Sequence, residues 1–547
     1  MKSQTGMSLR QGGNLRLTLF YLIVVAIMYL TLSAQAQVPR QTGIGLVWGG
    51  QDEEAILKYP YVCFGQGAFL WKNIQPRENE YDWSVMDATL KRFYDLGKKV
   101  PIQVNTPCPE WIFKYVASVG SSRGGQAPQY WDPVYFGFLS NFVKAYAEHL
   151  GTSPYKDAVL FIRMQFNALN TEILSFDSGY LQGTASPDRK KWTLPPNGHV
   201  YTPDLTPAIE TEMIQKITQL YLDHFFPHHL PVALRMDGEN DLTKPGRGVD
   251  GQAIYDRWTS NPLAWSMTTH YGIGLIASPE SFRFKRRCRE RGTTAFAEQF
   301  ALISSGRAQH SEADVARAMR QVNIPGADGK PRIREPSPEQ AFYWTTLMLL
   351  DWGFSYISLY GVDHTWAHAD ATAVHAMEFV NKYAGWHGDP AHAPGAWTTL
   401  GRFVSKRGAA ENANWGFFVT QENPKASTEP VNFAGGETAA QGVWARRLTS
   451  TASFVLDSAF AASLDEKSFV RIVWLNEPGA ALRVSAGGKD FAAMASDASG
   501  KWKETWVEIP ADVFGKSGNS RLVVDPAKGK PVLHLIEICR KRTESAN

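Results

Sequence analysis

The stretch SVMDATLKRFYDLGKKVPIQVNT, residues 84 to 106, decides how the chain is read. Met86, Leu90 and Phe93 fall on one face of a helix, with polar residues between them. Gly97 marks the end of that helix, because glycine adopts the left-handed conformation of a helix cap without steric cost. Three residues on, VPIQV (100–104) is a short apolar run without alternation, as in a strand buried on both faces of a parallel sheet. Helix, glycine and buried strand make part of a β/α repeat.

The repeat extends in both directions. Similar apolar runs occur at IGLVW (44–48), YVCFG (61–65), AVLFIRM (158–164), VALRM (232–236), IGLIA (273–277), TAFA (294–297) and YISLY (356–360), eight in all with VPIQV. Helical patterns lie between them. In one, Asp132 is placed to cap, Pro133 follows at the first turn, and Tyr135, Leu139, Phe142, Tyr146 and Leu150 form a single stripe that ends at Gly151. In another, Ser337 and Gln340 make a capping box around Pro338, and Gly353 closes the helix. Eight strands alternating with helices predict an α/β fold, a (β/α)8 TIM barrel, over residues 37–396. Long insertions at about 165–205 and 304–335 fall after the fourth and seventh strands, where such loops line a cleft.

Beyond 396 the character changes. WGFFV, SFVLD, FVRIVWL, ALRVSA, TWVEIP, RLVVD and LHLIEIC are short runs, mostly alternating, separated by Gly, Pro, Asn and Asp. Residues 397–547 are therefore expected to form a C-terminal antiparallel β-sandwich. At the other end, Lys2, Arg10 and Arg16 precede or flank the apolar run LTLFYLIVVAIMYLTLS (17–33), and AQA follows. Residues 1–36 read as a signal peptide, so the protein is expected to be secreted or periplasmic, with no membrane association beyond export.

The chain has 56 Lys and Arg against 53 Asp and Glu, and residues 1–36 hold three basic and no acidic residues. Without them the balance is 53 against 53, which argues against a nucleic-acid partner. Four cysteines (Cys63, Cys108, Cys288, Cys539) lie far apart in sequence, with no metal-site spacing. Buried free thiols are the plainer expectation, and Cys63 with Cys108 is the disulfide to test.

In a barrel the chemistry collects where strands end. There the sequence places Asn105 after the third strand, Asn167, Asn170 and Glu172 after the fourth, and Glu239 after the fifth. Glu280 follows the sixth, Glu298 the seventh, and His364 and Trp366 the eighth. Glu298 stands out, because a carboxylate at the end of the apolar TTAFA run needs a partner or a task. Its plain alternative is a pairing with Arg235 or another core arginine. That of Glu172 is a helix cap or an ion pair. Two carboxylates across one rim suit glycoside cleavage, in which one protonates the leaving oxygen and the other attacks the anomeric carbon or activates water.

The stretch 71–111 carries a resemblance. Trp71, the run Pro76, Glu78, Tyr81, Asp82, Trp83, then Gly97, a strand, Pro109 and Trp111 resemble the retaining β-glycosidases of clan A, in particular the family 42 β-galactosidase type. The resemblance implies a Glu acid/base ending the fourth strand and a Glu nucleophile ending the seventh, which fall on Glu172 and Glu298. It also implies that Asn170 binds a sugar hydroxyl. From the strand ends, Asn105, Glu239, His364 and Trp366 are expected substrate contacts, and one or two of Trp71, Trp111 and Trp131 are expected to stack on sugar rings, the rest being core. No cofactor and no metal are expected, since the chemistry needs only carboxylates and positioning. One departure is visible: NTE places Thr171 between Asn170 and Glu172, where the family has Asn directly before the acid/base.

The expectation is an exported retaining glycoside hydrolase for a β-linked, galactose-containing poly- or oligosaccharide. Glu280 and Glu239 are the rival carboxylates, and a non-catalytic polysaccharide-binding protein on the same scaffold is the alternative function. The run RFKRRCRERG (283–292) reads as a solvated helix face, or more sharply as a contact for an anionic polysaccharide.

Overall fold

The parallel sheet is built from the apolar runs. In the computed structural model nine strands form one sheet: β1 (Gly43–Val47), β2 (Val62–Phe64), β3 (Gly67–Leu70), β4 (Val100–Asn105), β5 (Val159–Arg163), β6 (Val232–Arg235), β7 (Ala264–Thr268), β8 (Ala295–Phe300) and β9 (Tyr356–Tyr360). The model describes residues 42–47, 53–105, 108–120, 126–164, 192–235, 263–268, 295–300, 323–325, 331–333, 337–351, 353–360, 371–401, 403–404, 410–411 and 414–542. All of these belong to one compact unit.

The strand order is β2-β1-β9-β8-β7-β6-β5-β4-β3, and every pair is parallel. The two ends of that order, β2 and β3, are consecutive pieces of one stretch interrupted at Gly65 and Gln66. Phe64 also makes a parallel bridge to Lys99, with the Gly65 amide donating to the Lys99 carbonyl at 3.0 Å. The stretch 62–70 thus pairs with β1 on one side and with the β4 segment on the other.

Six of the eight expected strands form within a residue or two of their predicted bounds, the seventh runs three residues past its predicted end to Phe300, and the sixth is a correction. The sheet position between β6 and β8 is taken by AWSMT (264–268), paired residue by residue to Val232–Arg235 and to Ala295–Ala297. The more aliphatic IGLIA (273–277) lies outside the described residues. Trp, Met and Thr all suit a strand, and pairing to two neighbours rather than hydrophobicity decides the position. Glu280 therefore does not directly follow the sixth strand.

Helices α1 (Ser84–Asp95), α2 (Pro133–Thr152), α3 (Pro207–Phe225) and α4 (Pro338–Asp351) lie between strands of the sheet, and α5 (Ala371–Tyr383) follows β9. The predicted stripe of α2, Tyr135 to Leu150, is entirely buried. Gly97 ends α1 at φ 63°, with the Lys98 amide bonded to Phe93 O and the Gly97 amide to Tyr94 O. Gly151 does not end α2, which runs on to Thr152. It is needed there for space, since a Cβ at that position would lie 2.1 Å from His228 Nδ1.

After α5 the described residues form two large antiparallel sheets, besides the short pair Phe403–Val404 and Ala410–Glu411. One holds Gly395–Thr399, Gly416–Phe417, Thr428–Asn432, Trp444–Leu448, Ser468–Leu475, Trp502–Ile509 and Val532–Cys539. The other holds Val419–Gln421, Ala452–Leu456, Ala481–Ala486, Lys489–Ala495 and Arg521–Lys528. WGFFV contributes to both: the chain changes sheet at Phe418, which adopts φ 59° and accepts a hydrogen bond from the Asp457 amide at 2.7 Å. Among the described residues no helix is long and apolar enough to cross a membrane.

Candidate active site

The edge where the parallel strands end carries the candidate site. Beneath it, Phe64, Leu160, Phe161, Ala233 and Tyr356, from four strands, form an apolar cluster distinct from the large core that includes α1 to α5. Phe64 and Tyr356 meet edge to face at 5.8 Å between ring centres. Two residues beyond Phe161 along β5 stands Arg163, in register with Gln103 of β4. Both are buried. Arg163 donates to Gln103 Oε1 at 2.6 Å, and Gln103 Nε2 donates to Asn105 Oδ1 at 2.7 Å. Asn105, predicted as a substrate contact, is half-buried as the last residue of β4. Sequence reading missed Gln103 and Arg163. The available signal was a Gln and an Arg inside otherwise apolar strands, which demand partners when buried.

Glu298 lies within β8 rather than after it. It follows Ala297, the last β8 residue paired with β7, and falls in the interval between Ala297 and Phe300 where pairing with β9 changes register. Such irregularities are over-represented beside active sites, because they end regular pairing and re-aim a side chain. Glu172, Asn170, Glu239, Glu280, His364 and Trp366 lie outside the described residues, as do Cys288 and the basic run 283–292.

The motif from Trp71 to Trp111 has a structural job. Trp71 is fully buried, tilted against Phe142 at 4.8 Å and edge-on to Tyr135. Its indole N–H donates to Gln75 Oε1 at 2.9 Å, and the Trp111 indole donates to the Gln75 carbonyl at 3.2 Å. Trp111 is buried as well, edge-on to Phe138. Sugar stacking needs an uncovered indole face. The predicted substrate role of Trp71 and Trp111 is therefore corrected to that of braces behind the strand ends. Asp82 accepts from the Ser84 amide at 3.0 Å and starts α1, while Trp83 stacks on His149 at 4.5 Å. Trp131 is buried too, its N–H bonded to Pro203 O at 2.7 Å.

Segment 192–206 leads back from the insertion after β5. The Ser118 and Thr193 backbones bond to each other, and His199 Nε2 meets the buried Asp132 carboxylate at 2.8 Å. Cys63 and Cys108 are free thiols, so the candidate disulfide between them does not form, and Cys539 is free as well. Among the described residues, no group of three or more His, Cys, Asp and Glu side chains is placed to hold a metal ion.

Residues 56–127 match the glycoside hydrolase family 42 model, described as Beta-galactosidase. The resemblance read from 71–111 lies wholly inside that segment, and the match supports a glycoside hydrolase. Solved structures that the chain matches include the β-galactosidase from psychrophilic Marinomonas ef1, at 12% identity over 62% of this chain and 59% of that one, TM-score 0.36. Another is the β-galactosidase from Bacillus circulans sp. alkalophilus, at 10% identity over 63% and 56%, TM-score 0.38. A third is a glucosidase from Croceicoccus marinus, at 10% identity over 92% and 96%, TM-score 0.33. The chain spans less than two thirds of the length of these β-galactosidases. No curated protein sequence matches the chain.

Proposed function

We propose that the protein is an exported retaining glycoside hydrolase, acting on a β-linked, galactose-containing poly- or oligosaccharide. The parallel sheet is taken as a (β/α)8 barrel and the C-terminal sheets as a β-sandwich that braces it. Glu298 is the nucleophile and Glu172 the acid/base. The single observation that carries the reading is the family 42 match over residues 56–127, the segment that builds β3, α1 and β4 and ends one of its strands on Asn105. The irregular pairing around Glu298 supports the nucleophile assignment.

The chemistry needs no cofactor. Glu172 as the acid would give its proton to the departing glycosidic oxygen while Glu298, ionised, bonds to the anomeric carbon. Glu172 would then take a proton from water as that water releases the sugar. Opposite protonation states at the start require different surroundings, and predict a bell-shaped dependence of rate on pH.

The test is release of reducing ends from β-linked galactans, sulfated galactans and aryl β-glycosides, with wild type beside Glu298→Gln and Glu172→Gln. Wild type should cleave at least one. Glu172→Gln should lose about 10²–10⁴-fold in rate, and Glu298→Gln at least as much, with folding kept. An unimpaired Glu298→Gln would remove Glu298 from the mechanism and turn attention to Glu280 and Glu239. Binding without cleavage would favour the non-catalytic polysaccharide-binding protein, for which the displaced NTE spacing is the observation.

A further inference from the structure

The order of donors in the chain Arg163, Gln103, Asn105 is fixed by chemistry. An amide oxygen and nitrogen are told apart by their bonding partners, and a guanidinium has five donors and no acceptor. Gln103 must therefore turn its oxygen to Arg163, where the two atoms are 2.6 Å apart. Its amide nitrogen is then the group that faces Asn105, at 2.7 Å, so Asn105 must turn its own oxygen inward. The Nδ2 group, which carries two N–H donors, is then the end of Asn105 turned away from Gln103. Arg163 and Gln103 are only 4% and 5% exposed, so water does not compete for the bond between them. A hydrogen-bond chain that begins on a buried cation is polarised in one sense, and each donor along it is strengthened.

We propose that Arg163 and Gln103 are positioning residues that lock the Asn105 amide as a hydrogen-bond donor to a hydroxyl oxygen of the bound sugar. This rests on the glycosidase reading of the same sheet edge. A hydroxyl can donate or accept; a partner that only donates compels it to offer its lone pair, which fixes the sugar in one orientation.

The discriminating variant is Gln103→Glu. A carboxylate at 103 still accepts from Arg163, now as an ion pair, but has no proton to give Asn105. The melting temperature should stay level or rise, whereas kcat/KM on the cleaved aryl glycoside should fall about 10–100-fold, the loss of one buried hydrogen bond. Asn105→Ala should fall similarly. Arg163→Lys, which also only donates, should keep most activity, and Arg163→Met should lose it. Among the 2-, 3-, 4- and 6-deoxy forms of that glycoside, one should be cleaved equally by wild type, Gln103→Glu and Asn105→Ala, and it names the hydroxyl. If wild type cleaves and Glu298→Gln does not, while Gln103→Glu and Asn105→Ala match wild type on every glycoside, the inference is overturned and the glycosidase reading stands. If wild type cleaves nothing, that reading fails, and calorimetric titration with galactose decides the inference. About tenfold weaker binding by Gln103→Glu upholds it; equal binding, or none by wild type, overturns it.

Discussion

Glu537 and Glu298 show what a single residue in a sequence can and cannot tell. Each is a carboxylate in an apolar run, LHLIEIC for one and TTAFAEQF for the other. The logic that marked Glu298 applies equally to Glu537, yet Glu537 is structural. It is 1% exposed and bonds Lys382 at 2.7 Å, Arg471 at 2.9 Å and the Tyr383 hydroxyl. Residue type separates a buried charge from a solvated one, and only the partners separate an ion cluster from a nucleophile. Burial alone would push the Glu537 carboxyl up, but the Lys382 and Arg471 charges outweigh it and hold the group down at about 2. A carboxyl depressed in the folded state contributes stability above its unfolded value of 4.5, and that contribution is lost as pH falls from there toward 2. Denaturant titrations of wild type should show this loss. Glu537→Gln should flatten it and cost about 3–5 kcal/mol at pH 7, since it leaves Lys382 and Arg471 without their carboxylate. An unchanged acid limb in the variant would show that Glu537 does not set it.

Elements were legible where the signal is local. The Ser337 and Gln340 box forms as read, with the Ser337 amide on Gln340 Oε1 at 3.0 Å and the Gln340 amide on Ser337 Oγ at 3.2 Å. Asp132 caps α2, accepting from the Val134 amide at 2.9 Å. What failed depends on distant chain. AWSMT became the sixth strand because its two neighbours pair with it, and Gly151 is required by His228, 77 positions along. Gln340 also donates to Glu437 O at 2.8 Å, a bond no local pattern announces. Asp132 separates the two kinds of information, since its cap is local and its pairing with His199 is not. Asp132→Asn should keep the cap and change only the contact with His199, for about 0.5–1.5 kcal/mol. Asp132→Ala should lose both and cost about 1–3 kcal/mol. Equal losses in urea titrations would mean that the cap contributes nothing.

At the scale of the molecule, the site's scaffold is joined to the antiparallel sheets by more than a linker. Trp344 of α4 lies edge-on to Trp444 at 4.9 Å and to His534 at 5.2 Å, and donates to Ala440 O at 2.7 Å. Tyr343 bonds His534 Nε2 at 2.6 Å, and the Gly416 amide donates to Asp351. Arg540 reaches back to the carbonyls of Ala391 and Ala393. Lys382 of α5 also holds Glu537. This explains why Val532–Cys539 is buried along its whole length, where sequence alone read a one-sided strand. An interface so apolar, with its charges paired inside it, leaves neither half a finished surface, so the halves should not unfold separately. Calorimetry on the full chain should give one transition. Trp344→Ala, which empties a buried aromatic site, should lower that whole transition by about 3–5 kcal/mol rather than split it. Two separated transitions in wild type would show the sheets to be an appendage. A single transition that Trp344→Ala lowers intact would make the C-terminal half part of what holds Asn105, Arg163 and Glu298 in place.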